Sequence, residues 1–147
     1  MILRFATPDD VPAVLAFWKL AAEDTNRGGD DTAAVRALIE RDPAALRLAV
    51  DSGADNSAGD GGGDIVGSLI AGFDGWRCHL YRFAVHPARR RQGIGAMLLA
   101  DAEERFRGFG GRRADAMVLD DNSLAHHAWA AAGYTPQDDW RRWVKSL

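Results

Sequence analysis

Leu80-Tyr81-Arg82-Phe83-Ala84-Val85-His86-Pro87, followed at once by Ala88-Arg89-Arg90-Arg91-Gln92-Gly93-Ile94-Gly95-Ala96-Met97-Leu98-Leu99, is the stretch on which the reading of this chain turns. Leu80 to Val85 reads as a strand stopped by Pro87. From Ile94 onward Met97, Leu98, Ala102, Phe106 and Phe109 keep one apolar face, with Glu103, Glu104 and Arg107 on another, so a long helix follows. Between them lies a basic turn. Gly93 and Gly95 let the backbone approach a ligand, and the unpaired N–H groups of a helix start favour an anion such as pyrophosphate, without a metal. Helix starts and tight turns also use glycines in this way, and the motif alone leaves both readings open. A nucleotide P-loop needs Gly-Lys-Ser/Thr where Ile94-Gly95-Ala96 stands, and a Gly-x-Gly-x-x-Gly dinucleotide site needs glycine where Leu98 stands.

Outward from this segment, Ile65 to Phe73 is a second strand, turned into the first by Asp74-Gly75-Trp76. Upstream, Ile2 to Ala6 is a short strand. Thr7-Pro8-Asp9-Asp10 suits a helix start, and Val11, Val14, Leu15, Trp18 and Ala22 recur at helical spacing. Asn26 to Asp30 reads as a turn, Val35, Leu38 and Ile39 mark a second helix ending before Pro43, and Leu46 to Val50 alternates like a strand. Residues 54–63 hold no large apolar side chain and are expected to form a mobile hairpin loop. Downstream, Ala114 to Leu119 is a strand, Ser123 to Ala132 a helix closed by Gly133, and Tyr134 to the end holds one or two strands.

The 147 residues, 47% apolar and 27% charged, suit one folded soluble domain spanning 1–147. A net charge of -3 gives no electrostatic reason to expect nucleic acid or a membrane as partner. Cys78 is the only cysteine, so neither an intramolecular disulfide nor a Cys zinc cluster is available. Met1-Ile2-Leu3-Arg4-Phe5 lacks the apolar core of a signal peptide, and no apolar run reaches bilayer-spanning length, so the expected location is cytoplasmic. Adjacent His126 and His127 lack the i, i+4 spacing of a helical metal pair, and no metal is expected.

The central segment resembles the phosphate-binding motif of the GNAT N-acetyltransferases, in which Arg or Gln is followed by two residues, Gly, one residue, then Gly or Ala. Arg90, Gly93 and Gly95 meet it, and Val85-His86-Pro87 resembles that family's usual strand ending. Farther on, Asn122, Ala125, Trp129, Gly133 and Tyr134 reproduce the spacing of its asparagine-to-Gly-aromatic helix. The resemblance implies a central mixed, mainly antiparallel α+β sheet of six or seven strands flanked by about four helices. It implies an enzyme that moves acetyl from acetyl-coenzyme A to an amine acceptor, a small molecule or a protein N-terminus or lysine, with a non-catalytic acetyl-coenzyme A-binding module as the alternative. The strand ending at Val85 is expected to splay from Ala114 to Leu119 and to hold the pantetheine arm in the gap. Main-chain groups of Phe83, Ala84 and Val85 would meet the pantetheine amides and polarise the thioester. The amides of Arg91, Gln92, Gly93, Ile94, Gly95 and Ala96 would cradle the pyrophosphate, with Arg89, Arg90 and Arg91 adding charge; an exposed basic turn is the alternative.

For catalysis, His79 and Tyr81 lie two apart on one strand and point to one face, and His is the natural base near neutral pH. The run from His79 to His86 resembles the corresponding strand of arylalkylamine N-acetyltransferases, which carry catalytic histidines at both positions, whereas only His79 is histidine here. Asp74, Asp120 and Asp121 are secondary candidates acting through water. Trp129 stands where many members of the family place a tyrosine acid and is expected to pack against the pantetheine arm. The departing thiolate would then draw its proton from water or Tyr134. Asn122 reads as a helix cap, a cofactor contact, or both. The resemblance places the acceptor near Trp18, Glu23, Asp24 and Trp76, while Trp18 at this helical spacing also suits the core and Glu23 with Asp24 a solvated helix end. Trp140-Arg141-Arg142-Trp143-Val144 reads as an edge strand forming a homodimer contact, or as a final strand over the protein's own core.

Overall fold

A computed structural model describes residues 1–21, 30–52 and 63–147. Glu23, Asp24, most of the turn at 26–30 and nearly all of the loop expected at 54–63 lie outside the described residues. Two compact units, Met1–Met117 and Val118–Leu147, are described separately.

In the first unit, β1 (Ile2–Phe5) leads through a 3-10 turn at Pro8–Asp10 into α1 (Val11–Ala21). Asp10 fixes this start: its Oδ2 accepts the Thr7 N–H at 2.7 Å, and Arg4 binds both carboxylate oxygens at 2.6 and 2.8 Å. Pro12 falls in the first turn, where no helical N–H is lost. Then follow α2 (Thr32–Arg41), β2 (Leu46–Asp51), β3 (Asp64–Phe73), β4 (Cys78–Val85), α3 (Ile94–Gly108) and β5 (Ala114–Ala116). Asp31 caps α2 by accepting the Ala34 N–H at 2.6 Å.

The sheet has the order β1-β2-β3-β4-β5, antiparallel except for the parallel β4–β5 pair. Its faces are told apart on β3. A Cβ on Gly67 would come within 2.9 Å of Ile94 and Leu98 of α3, whereas the Ser68 hydroxyl accepts the Trp18 indole N–H of α1 at 2.9 Å. One face therefore carries α3. The other buries Val11, Val14, Phe17 and Trp18 of α1 with Val35 and Ile39 of α2 against Leu46, Leu48, Val50 and Ile70. Arg47 of β2 anchors α3 through Asp101, its Nε donating at 2.6 Å.

The fold is the expected mixed one with four helices, but the sheet has five strands among the described residues, not six or seven. Strand β5 stops at Ala116 instead of Leu119, and no strand forms from Tyr134 onward. Aromatic content suggested strands there, yet a strand exists only where a ladder partner meets it. Trp140, Trp143 and Val144 are exposed and belong to no strand, so the expected final strand does not form.

In the second unit α4 (Ser123–Ala131) is capped by Asn122, whose Oδ1 accepts the Ala125 N–H at 3.0 Å. It ends at Gly133 (φ 88°), with the Tyr134 N–H returning to Trp129 O at 3.0 Å. Among the described residues no helix is long and apolar enough to cross a membrane.

Candidate active site

The ladder joining β4 to β5 runs Cys78↔Ala114, His79↔Asp115 and Leu80↔Ala116, and ends there, while β4 continues to Val85. Beyond that point β4 is also irregular against β3. Ser68 pairs with Ala84 and Ile70 with Tyr81, so Leu69 alone faces both Arg82 and Phe83, a β-bulge. Arg82 adopts φ 49°, in the left-handed region that side chains avoid. Its carbonyl accepts the Ser68 hydroxyl at 2.9 Å, its Nε donates to Asp30 at 3.2 Å, and its guanidinium lies 5.4 Å from the centre of the Trp18 ring. Phe83 turns to the α3 face, where a Cβ on Gly95 would sit 3.0 Å from its ring. Gly95 thus serves close packing between helix and strand.

From β4 the chain passes through a 3-10 turn at Pro87–Arg89, with His86 Nδ1 accepting the Ala88 N–H at 3.2 Å. Arg91 (φ 60°) and Gly93 (φ 82°) then take left-handed conformations that swing the backbone into α3. Gly93 is the N-cap residue, and an added Cβ would meet nothing within 4 Å, so its front is open. Met97 N–H is the first of α3 to close a turn, onto Gly93 O at 3.0 Å, which leaves the Ile94, Gly95 and Ala96 amides directed out of the helix end. Ile94 buries its side chain while Gln92, Gly93 and Ala96 are exposed. An open, amide-lined, electropositive helix start fits a pyrophosphate. The three arginines divide: Arg89 pairs with Asp51 and Gln92, Arg90 Nε donates to Val85 O at 3.3 Å, and Arg91 is exposed.

His79 and Tyr81 share a face, as the strand period requires, with ring centres 6.0 Å apart. Since Ile70 faces α1 and pairs with Tyr81, this is the α1/α2 side. His79 Nδ1 lies 2.7 Å from Asp115 Oδ1, and Nε2 lies 3.4 Å from Asp74 Oδ2. Hydrogen bonding to Asp115, chiefly, holds the His79 pKa above its ordinary 6.5 against the opposing effect of burial. Asp74 is held below the usual carboxylate range by the N–H groups of Arg77 and Trp76, at 2.7 and 2.8 Å. Trp76 stands 82% exposed at this hairpin tip.

Trp18, expected beside the acceptor, is 3% exposed and commits its indole N–H to Ser68; it is a core residue beneath the bulge. Asp120 and Asp121 are exposed in the turn before α4. Trp129 is buried, and Tyr134 meets it edge-on at 4.9 Å. His126 and His127 bond to Leu119 O and Ser123 O at 2.9 and 2.7 Å. Among the described residues no three His, Cys, Asp or Glu side chains form a metal-binding group. Asp115, Ser68, Arg82 and Gly67 were missed by sequence reasoning; only a strand pairing could have brought Asp115 to His79.

The sheet is mixed, its parallel β4–β5 ladder stops at Leu80 and Ala116, and β4 runs on through the glycine turn into α3, whose first amides are open. The chain belongs to the GNAT family of acetyltransferases, whose family model matches residues 16–134, and it is an acetyl-coenzyme A-dependent N-acetyltransferase. An acetyltransferase of Pectobacterium atrosepticum is 28% identical over 83% of this chain and 79% of its own length. Among solved structures, an aminoglycoside 6'-N-acetyltransferase of Acinetobacter haemolyticus superposes with TM-score 0.71 at 18% identity, covering 100% of this chain and 99% of its own. Salmonella typhimurium yncA, solved with its cofactor acetyl-coenzyme A, gives 0.70 at 22% identity, covering 92% of this chain and 79% of its own. At these identities the structural likeness is one of fold.

Proposed function

We propose that the chain transfers acetyl to a primary amine by direct attack within a ternary complex, preferring a small-molecule amine over a protein N-terminus or lysine. The observation that carries this reading is the juxtaposition along one segment of the β4 bulge and the open start of α3. In this reading the amides from Arg91 to Ala96 hold the pyrophosphate, with Arg91 supplying charge. The main chain of Phe83, Ala84 and Val85 takes the pantetheine amides and polarises the thioester carbonyl.

The amine nitrogen attacks the carbonyl carbon, the tetrahedral adduct collapses with cleavage of the carbon–sulfur bond, and the thiolate leaves as coenzyme A. The amine proton passes, directly or through water, to His79 Nε2. Asp115 on Nδ1 favours the tautomer in which Nε2 accepts. The thiolate is a good leaving group and takes its proton from water. Direct attack is supported by Cys78: it is buried, its thiol pKa is pushed up by that burial, and it offers no nucleophile for an acyl-enzyme.

Asp74 and Asp115 beside His79 contribute negative charge, and Trp76 an exposed aromatic surface, that suit a small cationic amine. Thiol release from acetyl-coenzyme A across a panel of amino sugars, polyamines, arylalkylamines and peptides tests the proposal. Turnover with small amines is expected; turnover with peptides alone would refute the preference.

A further inference from the structure

Ser68 is the only polar residue buried in the core among the described residues, at 0% exposure. It accepts from Trp18 Nε1 at 2.9 Å and donates to Arg82 O at 2.9 Å. A lone hydroxyl in an apolar core costs stability unless both its bonding roles are used, and here both are. Its acceptor is the carbonyl of the one β4 residue held at positive φ, a conformation that persists only where its surroundings enforce it. The peptide that follows is planar and trans, so a carbonyl drawn toward Ser68 sets the opposite direction of the Phe83 N–H and the course of the backbone toward Val85.

We infer that Trp18 and Ser68 are positioning residues for acetyl transfer: a buried indole-to-hydroxyl strut that locks the Arg82 peptide and thereby aims the bulge amides at the thioester carbonyl. The inference rests on the proposed role of the β4 main chain. The strut reaches the bulge from the α1 side, whereas the pyrophosphate cradle is built at the start of α3 on the other face. Loss of the strut should therefore disturb the acetyl group more than the nucleotide end. Both Ser68→Ala and Trp18→Phe interrupt it, the first wholly and the second at its donor.

Infrared difference spectra of bound acetyl-coenzyme A, isotope-labelled at the thioester carbonyl carbon, read the polarisation directly. In the wild type the carbonyl band should lie below that of the free thioester. In folded Ser68→Ala it should move back toward the free position, while calorimetric affinity for coenzyme A stays within about threefold. Trp18→Phe should give a smaller displacement, and the double variant no more than Ser68→Ala alone, because the two act in series. Val35→Ala, a core change away from the bulge, should leave the band in place. A band as displaced in both single variants as in the wild type would overturn the strut alone. A wild-type band coincident with that of free acetyl-coenzyme A would overturn the β4 reading on which it stands.

Discussion

His79 sits between Asp115 and Asp74, and that pairing sets how it titrates. Its folded-state pKa is raised above 6.5, so the pairing stabilises the fold fully below pH 6.5, and the contribution is lost as pH rises through the folded value. The same shift keeps more of the proposed base protonated near neutrality, so turnover should rise on the alkaline side. In Asp115→Asn the NMR titration midpoint of His79 should fall, and the acid limb of the rate profile should move with it. An unmoved midpoint would show that Asp115 is not the cause. The arginines of the turn make a second contrast at this scale. Arg91→Ala should weaken acetyl-coenzyme A binding by about three- to tenfold with little change in stability, the loss of one charge-assisted contact. Arg89→Ala, which breaks the pair with Asp51, should have the smaller effect on binding; calorimetric titration of both variants separates the two roles.

At the scale of elements, the start of α3 is placed by what lies behind it. Gly67 admits Ile94 and Leu98 where a Cβ would meet their side-chain methyl groups at 2.9 Å, so Gly67→Ala must shift this packing. It should cost about 1–3 kcal/mol in urea unfolding and also weaken acetyl-coenzyme A binding. Full retention of both would contradict the packing argument. The start of α1 depends on Asp10, whose pKa is lowered to about 2, first by Arg4 and then by Thr7. That contribution is present above the ordinary 3.8 and is lost as pH falls toward 2. Asp10→Asn should cost about 1–2 kcal/mol at neutral pH and flatten the acid limb of the stability profile. The strand, turn and helix from Leu80 to Gly108 were legible because hydrophobic periodicity, Pro87 and the glycines all act locally. The Asn122 cap and Gly133 stop were legible for the same reason. The bulge at Arg82 and Phe83 was not, since it arises from a register shift against Ser68 and Ile70 that no local pattern encodes.

Across the whole molecule, the order of periodic segments placed the strands and helices, the mixed sheet was what the family resemblance implied, and the strand count was overestimated. Ala114 to Leu119 carries enough apolar character for six residues of strand, but only Ala114–Ala116 meets β4. The aromatic tail looked like a strand because propensity speaks of side chains and not of partners. His79 and Tyr81, the expected catalytic pair, could be placed on one face from strand period alone. The acceptor wall could not be placed: Trp18 has the helical spacing of a core residue and is one.

Acetyl-coenzyme A binding is proposed to depend on the open amides at the start of α3. Calorimetric titration of acetyl-coenzyme A against the wild type and Gly93→Glu tests it most directly, because a side chain at φ 82° is strained and its carboxylate would occupy the open front of the anion site. Measurable wild-type binding, weakened by about tenfold or more in a variant that keeps its fold, is the predicted result. Undiminished binding in folded Gly93→Glu, or none in the wild type, would contradict it.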